Sequence, residues 1–245
     1  MHIVSLIFGI ISSIIMISIS IPQIITTWKT KKVGGISYAT FLIYFLGGFL
    51  FVVDFLLFNS TGTLNLLDPE KPTDLIITII ANLAFVFLMA ITISGFFIFD
   101  KNLKLWFKVF FGILIWIATT FVIVFTIVTY AGYTKSIQLA PDNVVLTILT
   151  IIAGLCTALP FSVQIYKTIK AKSVQGLSFL MLWIGLFLNA TIMVYLATSI
   201  PVGAPTWISA IVLQSIGMAI YTIMIILYFR YGFSKKEKNN TKVQA

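Results

Sequence analysis

The chain has 245 residues, of which 60% are hydrophobic and 9% charged, and its mean hydropathy is +1.09. A soluble domain carries about 25% charge, so this composition belongs to a protein that crosses the membrane several times. The lone cysteine, Cys156, excludes an internal disulfide and a multi-cysteine metal site. The net charge of +9 would suit nucleic acid, but its placement excludes that partner, as shown below.

A spanning helix needs about 20 mostly apolar residues. Seven segments qualify: 3–27, 36–58, 74–99, 104–130, 143–168, 177–199 and 205–231. The fold class expected is therefore an all-α polytopic membrane protein. The first segment has no basic stretch ahead of it and has an internal copy later, so it reads as a mature helix and not a signal peptide. The loop 59–73 holds Gly62, Asp68, Pro69, Glu70 and Pro72, which is turn chemistry. The Lys- and Asn-rich tail, 233–245, reads as disordered.

The stretch Gln23 to Ser37 returns as Gln164 to Ser178. Eight of fifteen positions are identical at an offset of 141 (164 − 23): Gln23/Gln164, Ile24/Ile165, Thr27/Thr168, Lys29/Lys170, Lys31/Lys172, Val33/Val174, Gly35/Gly176 and Ser37/Ser178. Membrane composition alone would match isoleucines, but not Gln, Lys, Gly and Ser in register, so the chain is internally duplicated. Span 1 pairs with 5, 2 with 6 and, with a shorter loop, 3 with 7. Span 4 has no counterpart. The expected plan is 3+1+3: a first triple-helix bundle at 1–99, a linker span at 100–135 and a second bundle at 136–232. An odd number of spans separates the bundles, which makes them parallel repeats.

With the N-terminus outside, 14 of the 16 Lys and Arg residues fall on the cytoplasmic side, all but Lys71 and Lys135. Basic residues mark cytoplasmic loops. The charge is thus a topology signal for a cell-membrane protein with its C-terminus inside, and nucleic acid is not an expected partner.

Pro22-Gln23 near the end of span 1, a basic loop, and then Val-x-Gly-(Ile/Leu)-Ser opening span 2 resemble the PQ-loop family. The 3+1+3 plan resembles its SWEET sugar transporters, and the Lys-x-Lys-x-Val-x-Gly wording resembles the half-size members that dimerise. The resemblance implies a transporter of a small neutral solute, with sugar favoured, working by alternating access in the manner of a uniporter. The alternatives in view are a proton-coupled amino-acid or vitamin carrier and a receptor or scaffold that moves no cargo. Beyond solute and bilayer, a homo-oligomer is compatible with the family.

Asn82 in span 3 matches the half-size transporters' sugar-contacting asparagine, and Gln214 falls at the corresponding depth in span 7. Phe51 in span 2 and Met193 in span 6 stand where the family places a tryptophan that walls its pocket, and the Leu188-Asn189 pair of span 6 resembles SWEET proteins. Uncharged amides suit such a site, because one side chain both donates and accepts while avoiding the cost of a bare charge in the bilayer. The bland reading is that these amides hold helices together. Pro22 and Pro160, beside Gln23 and Gln164, are candidate hinges, since each removes a backbone donor and clashes with the preceding turn. Asp54 is the one acid within a span and a candidate proton site. Its position five residues before Asn59 favours a solvated place at the interface. No nucleophile–base pair, metal cluster or nucleotide loop is present in the sequence, so no enzyme activity, metal or cofactor is expected. Single cysteines at Thr63 and Gly176, in a Cys156→Ser background, should label from outside and inside respectively, and the reverse pattern would overturn the orientation.

Overall fold

The computed structural model describes residues 2–61, 76–130, 143–199, 202–203 and 205–232. The expectations for the loop 59–73 and the tail 233–245 fall largely or wholly outside them. Among the described residues the chain is all helical. The helices are α1 (His2–Ser18), α2 (Ile21–Thr30), α3 (Tyr38–Thr61), α4 (Ile76–Phe99), α5 (Leu105–Tyr130), α6 (Asn143–Ala158), α7 (Pro160–Ala171), α8 (Phe179–Ser199) and α9 (Pro205–Gly232). They make seven helical stretches long and apolar enough to cross a membrane, with α1–α2 and α6–α7 each forming one span.

Both of those spans break near their proline. Pro22 is the second residue of α2 and Pro160 the first of α7. A helix tolerates proline in its first turn, where no donor is needed, so each proline ends one helical segment and starts the next. The breaks fall at Ile19–Ser20 and at Leu159. Leu159 lies under Ser18 at the offset of 141, so the two kinks sit within a turn of equivalent places although Pro160 is shifted from strict register.

The packing is unchanged when the first three spans are exchanged for the last three. The α1–α2 span lies against α4, as α6–α7 lies against α9, and α3 packs on α4 as α8 packs on α9. Two seams join these sets: α1 and α2 against α8, and α3 against α6 and α7. Helix α5 rests on α3 and α4 and has no equivalent.

The exchange extends to single contacts. At Gly48 of α3 an added Cβ would stand 2.6 Å from Phe85 of α4; at Gly217 of α9 it would stand 2.3 Å from the Asn189 side chain of α8. Gly48 corresponds to Asn189 at 141 (189 − 48), and Phe85 to Gly217 at the third-span offset of 132 (214 − 82). The same interhelical contact is thus kept with bulk and gap traded between partners. Such trades keep one larger and one minimal partner at the contact, which lets the helices approach closely in either arrangement. The ends of the seams away from the lysine-rich loops correspond as well. Asp54 contacts Thr150 in one, and Tyr195 lies over Gly9 in the other, with 195 − 54 and 150 − 9 both equal to 141.

A set of buried rings from α3, α4, α7 and α9 packs between the two sets of spans. Phe161 lies 6.1 Å from Phe41, 6.0 Å from Tyr44 and 4.8 Å from Tyr221, while Tyr44 meets Phe85 at 5.0 Å. The Tyr221 hydroxyl donates to that of Tyr44 at 3.4 Å. Tyr221 fits because Gly185 of α8 leaves room: a Cβ there would lie 2.2 Å from the ring. Gly185→Ala should therefore lower the thermal midpoint of the purified protein, at a cost of about 1–3 kcal/mol for overpacking. Gly112→Ala, which meets nothing within 4 Å, should leave it level or raise it. Equal midpoints for the two variants would contradict this account of the ring cluster.

Candidate functional site

The two glutamines of the duplicated stretch hold the lysine-rich end together, each reaching into the other repeat. Gln23 Oε1 accepts the backbone N–H of Ser178 at 2.9 Å, and its Nε2 donates to the Gly176 carbonyl at 2.8 Å and to Thr27 Oγ1 at 3.1 Å. Gln164 Oε1 accepts the N–H of Ser37 at 2.7 Å, and its Nε2 donates to the Gly35 carbonyl at 2.8 Å and to Thr168 Oγ1 at 3.1 Å. Both glutamines are fully buried. The backbone N–H of Ser37 lies just before α3 and that of Ser178 just before α8, where a helix start leaves donors unpaired. Each carboxamide therefore caps a helix of the opposite repeat and orients itself through the threonine four residues on in its own.

The loops must come close for this to work. The Gly35 N–H donates to the Gln175 carbonyl at 3.0 Å. A Cβ on Gly35 would lie 2.5 Å from that oxygen. Gly176 has φ +87 and would place a Cβ 2.1 Å from the Lys32 carbonyl, so both steric room and backbone conformation demand glycine. A cysteine probe at Gly176 is therefore unsuitable; exposed Ala171 serves that side instead. Thr40 Oγ1 donates to the Pro160 carbonyl at 3.0 Å, tying α3 to the kink of the other repeat. Lys167 Nζ donates to the Ile36 carbonyl.

The candidate pocket residues lie further along the helices. Asn82 is buried on α4 and donates to the Thr78 carbonyl of its own helix at 2.9 Å. Asn189 is buried on α8, donates to the Gly185 carbonyl at 2.7 Å and faces Gly217. Met193 and Gln214 are half-buried, and the Ser215 hydroxyl lies 3.8 Å from the Met193 sulfur. Phe51 stacks on Phe55 of its own helix at 5.6 Å. The structure brings the α8 residues Asn189 and Met193 against α9. None of the five lines either of the two hollows described below.

Asp54 departs from expectation. It is not solvated at the interface but fully buried in the α3–α6 seam. Helix α3 runs to Thr61, seven residues past Asp54, and α6 covers it. Thr150 Oγ1 donates to Oδ2 at 2.7 Å, while Oδ1 has no partner among the described residues.

Sequence reasoning placed Gln23 and Gln164 beside the hinges but missed their bonds across the repeats. The available signal was the matched Gln-x-x-x-Thr and Gly-x-Ser in both copies. Removing one carboxamide orphans a buried backbone donor, at a cost of about 1–3 kcal/mol, and leaves unpaired a carbonyl that is buried at Gly35 and half-buried at Gly176. Gln23→Ala and Gln164→Ala should each lower the thermal midpoint, and by similar amounts because their partners are equivalent. A loss confined to one of them would mean that only one latch forms.

The PQ loop repeat family matches this sequence twice, over residues 4–64 and 145–200. Each match contains one of the prolines, Pro22 or Pro160, one latch glutamine and the glycine loop that the other glutamine grips. No curated protein sequence matches the chain. The chain is a multi-pass membrane protein carrying two stretches that match the PQ loop repeat.

Proposed function

We propose that the protein is a transporter that carries a small neutral solute, a sugar by preference, by opening its two seams alternately at either end. The observation that carries this reading is the crossed pair of glutamine latches. They close one end with four direct cross-repeat bonds, two from each carboxamide. A net contribution of about 1 kcal/mol per bond gives a closure that solute binding energy can shift. Two kinked spans lie beside it to absorb the motion. The lysine-rich end is assigned to the cytoplasm and the N-terminus to the outside, on the distribution of cations. Asn82, Gln214 and Asn189 are assigned to the solute, with Phe51 and Met193 as apolar walls. In the closed form the two asparagines satisfy themselves on their own helices, and a solute hydroxyl would replace those carbonyls.

Buried Asp54 favours a second reading, coupling to protons. A carboxylate with one hydroxyl partner is costly to bury ionised. It would sit protonated in the closed seam and release its proton when the seam hydrates.

Uptake of labelled sugars, amino acids and vitamins into liposomes tests both readings. Asn82→Ala and Gln214→Ala should each slow uptake about tenfold or more, as expected for a lost bond of about 1.4 kcal/mol. Wild-type rates in both would remove them from the site. Solute-driven proton flux abolished by Asp54→Asn would establish coupling, while flux-free uptake would leave uniport. Absence of counterflow for every solute would leave a receptor.

A further inference from the structure

At the lysine-rich end lies a hollow of about 430 Å³ whose walls come from both repeats. Lys31, Lys32, Gly34 and Tyr38 form one side, Lys167 and Gln175 another, and the α4–α5 turn, with Asp100 and Lys101, the third. Four lysines thus face a single carboxylate. That carboxylate is already held by neutral donors: Oδ2 accepts the Tyr38 hydroxyl, and Oδ1 accepts the Asn102 N–H at 2.8 Å. Lys167 is anchored by one N–H to the Ile36 carbonyl and stands 5.6 Å over the Tyr38 ring, leaving two donors. Lys31 lies 5.9 Å over Phe99. The hollow is concave, excess positive, and rich in N–H donors on flexible stems.

We infer that this hollow binds a phosphate group, and that an anionic phospholipid headgroup is its source. A phosphate monoester, as in the headgroup of phosphatidic acid, offers several acceptor oxygens and roughly −1.5 to −2 charge, which converging lysines can share. Basic pockets among spanning helices at a membrane face take phosphorylated headgroups. The lipid source is favoured by a second hollow of about 350 Å³ between α4 and α5, lined by Ser94, Phe97, Ile98, Val109, Gly112 and Trp116 with Lys108. Ile98, Val109 and Trp116 are exposed on the bundle's flank, where an acyl chain would lie. The two hollows are linked through Asp100, whose backbone carbonyl accepts a bond from Lys108 Nζ. Because the first hollow exists only while Lys31–Gly34 and Lys167–Gln175 are held together, a bound headgroup stabilises the latched conformation. The inference does not depend on the identity of the solute, nor on transport.

The test is a thermal-shift titration of the purified full chain in neutral detergent, with short-chain phosphatidic acid, short-chain phosphatidylcholine and inorganic phosphate as separate probes. Phosphatidic acid should raise the midpoint saturably and phosphatidylcholine should not, since ligands of the folded state stabilise it. Lys31→Gln with Lys101→Gln should shift the half-saturating concentration of phosphatidic acid at least tenfold. Both lysines are exposed, so these variants retain the fold. Lys235→Gln with Lys236→Gln, away from the hollow in sequence, should leave it unchanged. Should inorganic phosphate match phosphatidic acid, with the same loss in the Lys31/Lys101 variant, the phosphate site stands and the lipid source falls. No shift with any probe, or equal loss in the Lys235/Lys236 variant, overturns the proposal.

Discussion

Two buried carboxamides set the terms for this molecule. A glutamine inside a membrane bundle must satisfy two N–H donors and an acceptor without water, and Gln23 and Gln164 do so with the backbone of the opposite repeat and one threonine of their own. Much else at that end follows. The loops must approach to 3.0 Å between Gly35 and Gln175, hence the glycines. Each loop must start a helix directly after Ser37 or Ser178, so that an unpaired N–H faces the carboxamide. The spans that carry the glutamines must bend, which the prolines allow. Because each repeat supplies what the other lacks, neither loop is complete alone.

The remainder of the interface obeys the same exchange with freer chemistry. Gly48 against Phe85 becomes Asn189 against Gly217, and Asp54 with Thr150 becomes Tyr195 over Gly9. Packing asks for one larger and one minimal partner at such a contact, not which partner supplies the bulk, so duplicated contacts can drift in this way. The latch cannot drift likewise, because hydrogen bonds to fixed backbone groups need a particular side chain at a particular reach. The asymmetric positions, Asp54 foremost, are where one repeat can have acquired a property the other lacks.

Seven spans, their kinks and the duplication were legible in the sequence. Apolar length is required by the bilayer, and matched polar residues survive against a background of isoleucine and leucine. The latch itself was not legible, since Gln23 and Ser178 are 155 residues apart and no local pattern joins them. The buried rings of Tyr44, Phe161 and Tyr221 were hidden for another reason. In a chain that is 15% aromatic, a ring facing the axis and a ring facing lipid have the same neighbours in sequence. Asp54 was misplaced because helix ends in apolar sequence are poorly marked, and an extra turn of α3 turns a surface carboxylate into a buried one. Of the candidate pocket, the sequence supplied the amide residues. The bonds of Asn82 and Asn189 to their own helices, to the Thr78 and Gly185 carbonyls, carry no sequence signature of their own.

Closure of one end of the protein by the crossed glutamines is open to direct measurement. Spin labels at Thr30 and Ala171, both exposed at the ends of α2 and α7, report the separation of the repeats there when the native Cys156 is replaced by serine. With both glutamines present, the distance distribution should be dominated by one short population. In the Gln23→Ala/Gln164→Ala variant, measured at matched protein amount in the same lipid, a longer population should appear. An identical distribution in the two proteins would contradict this role of the glutamines, and closure would then belong to the aromatic cluster alone.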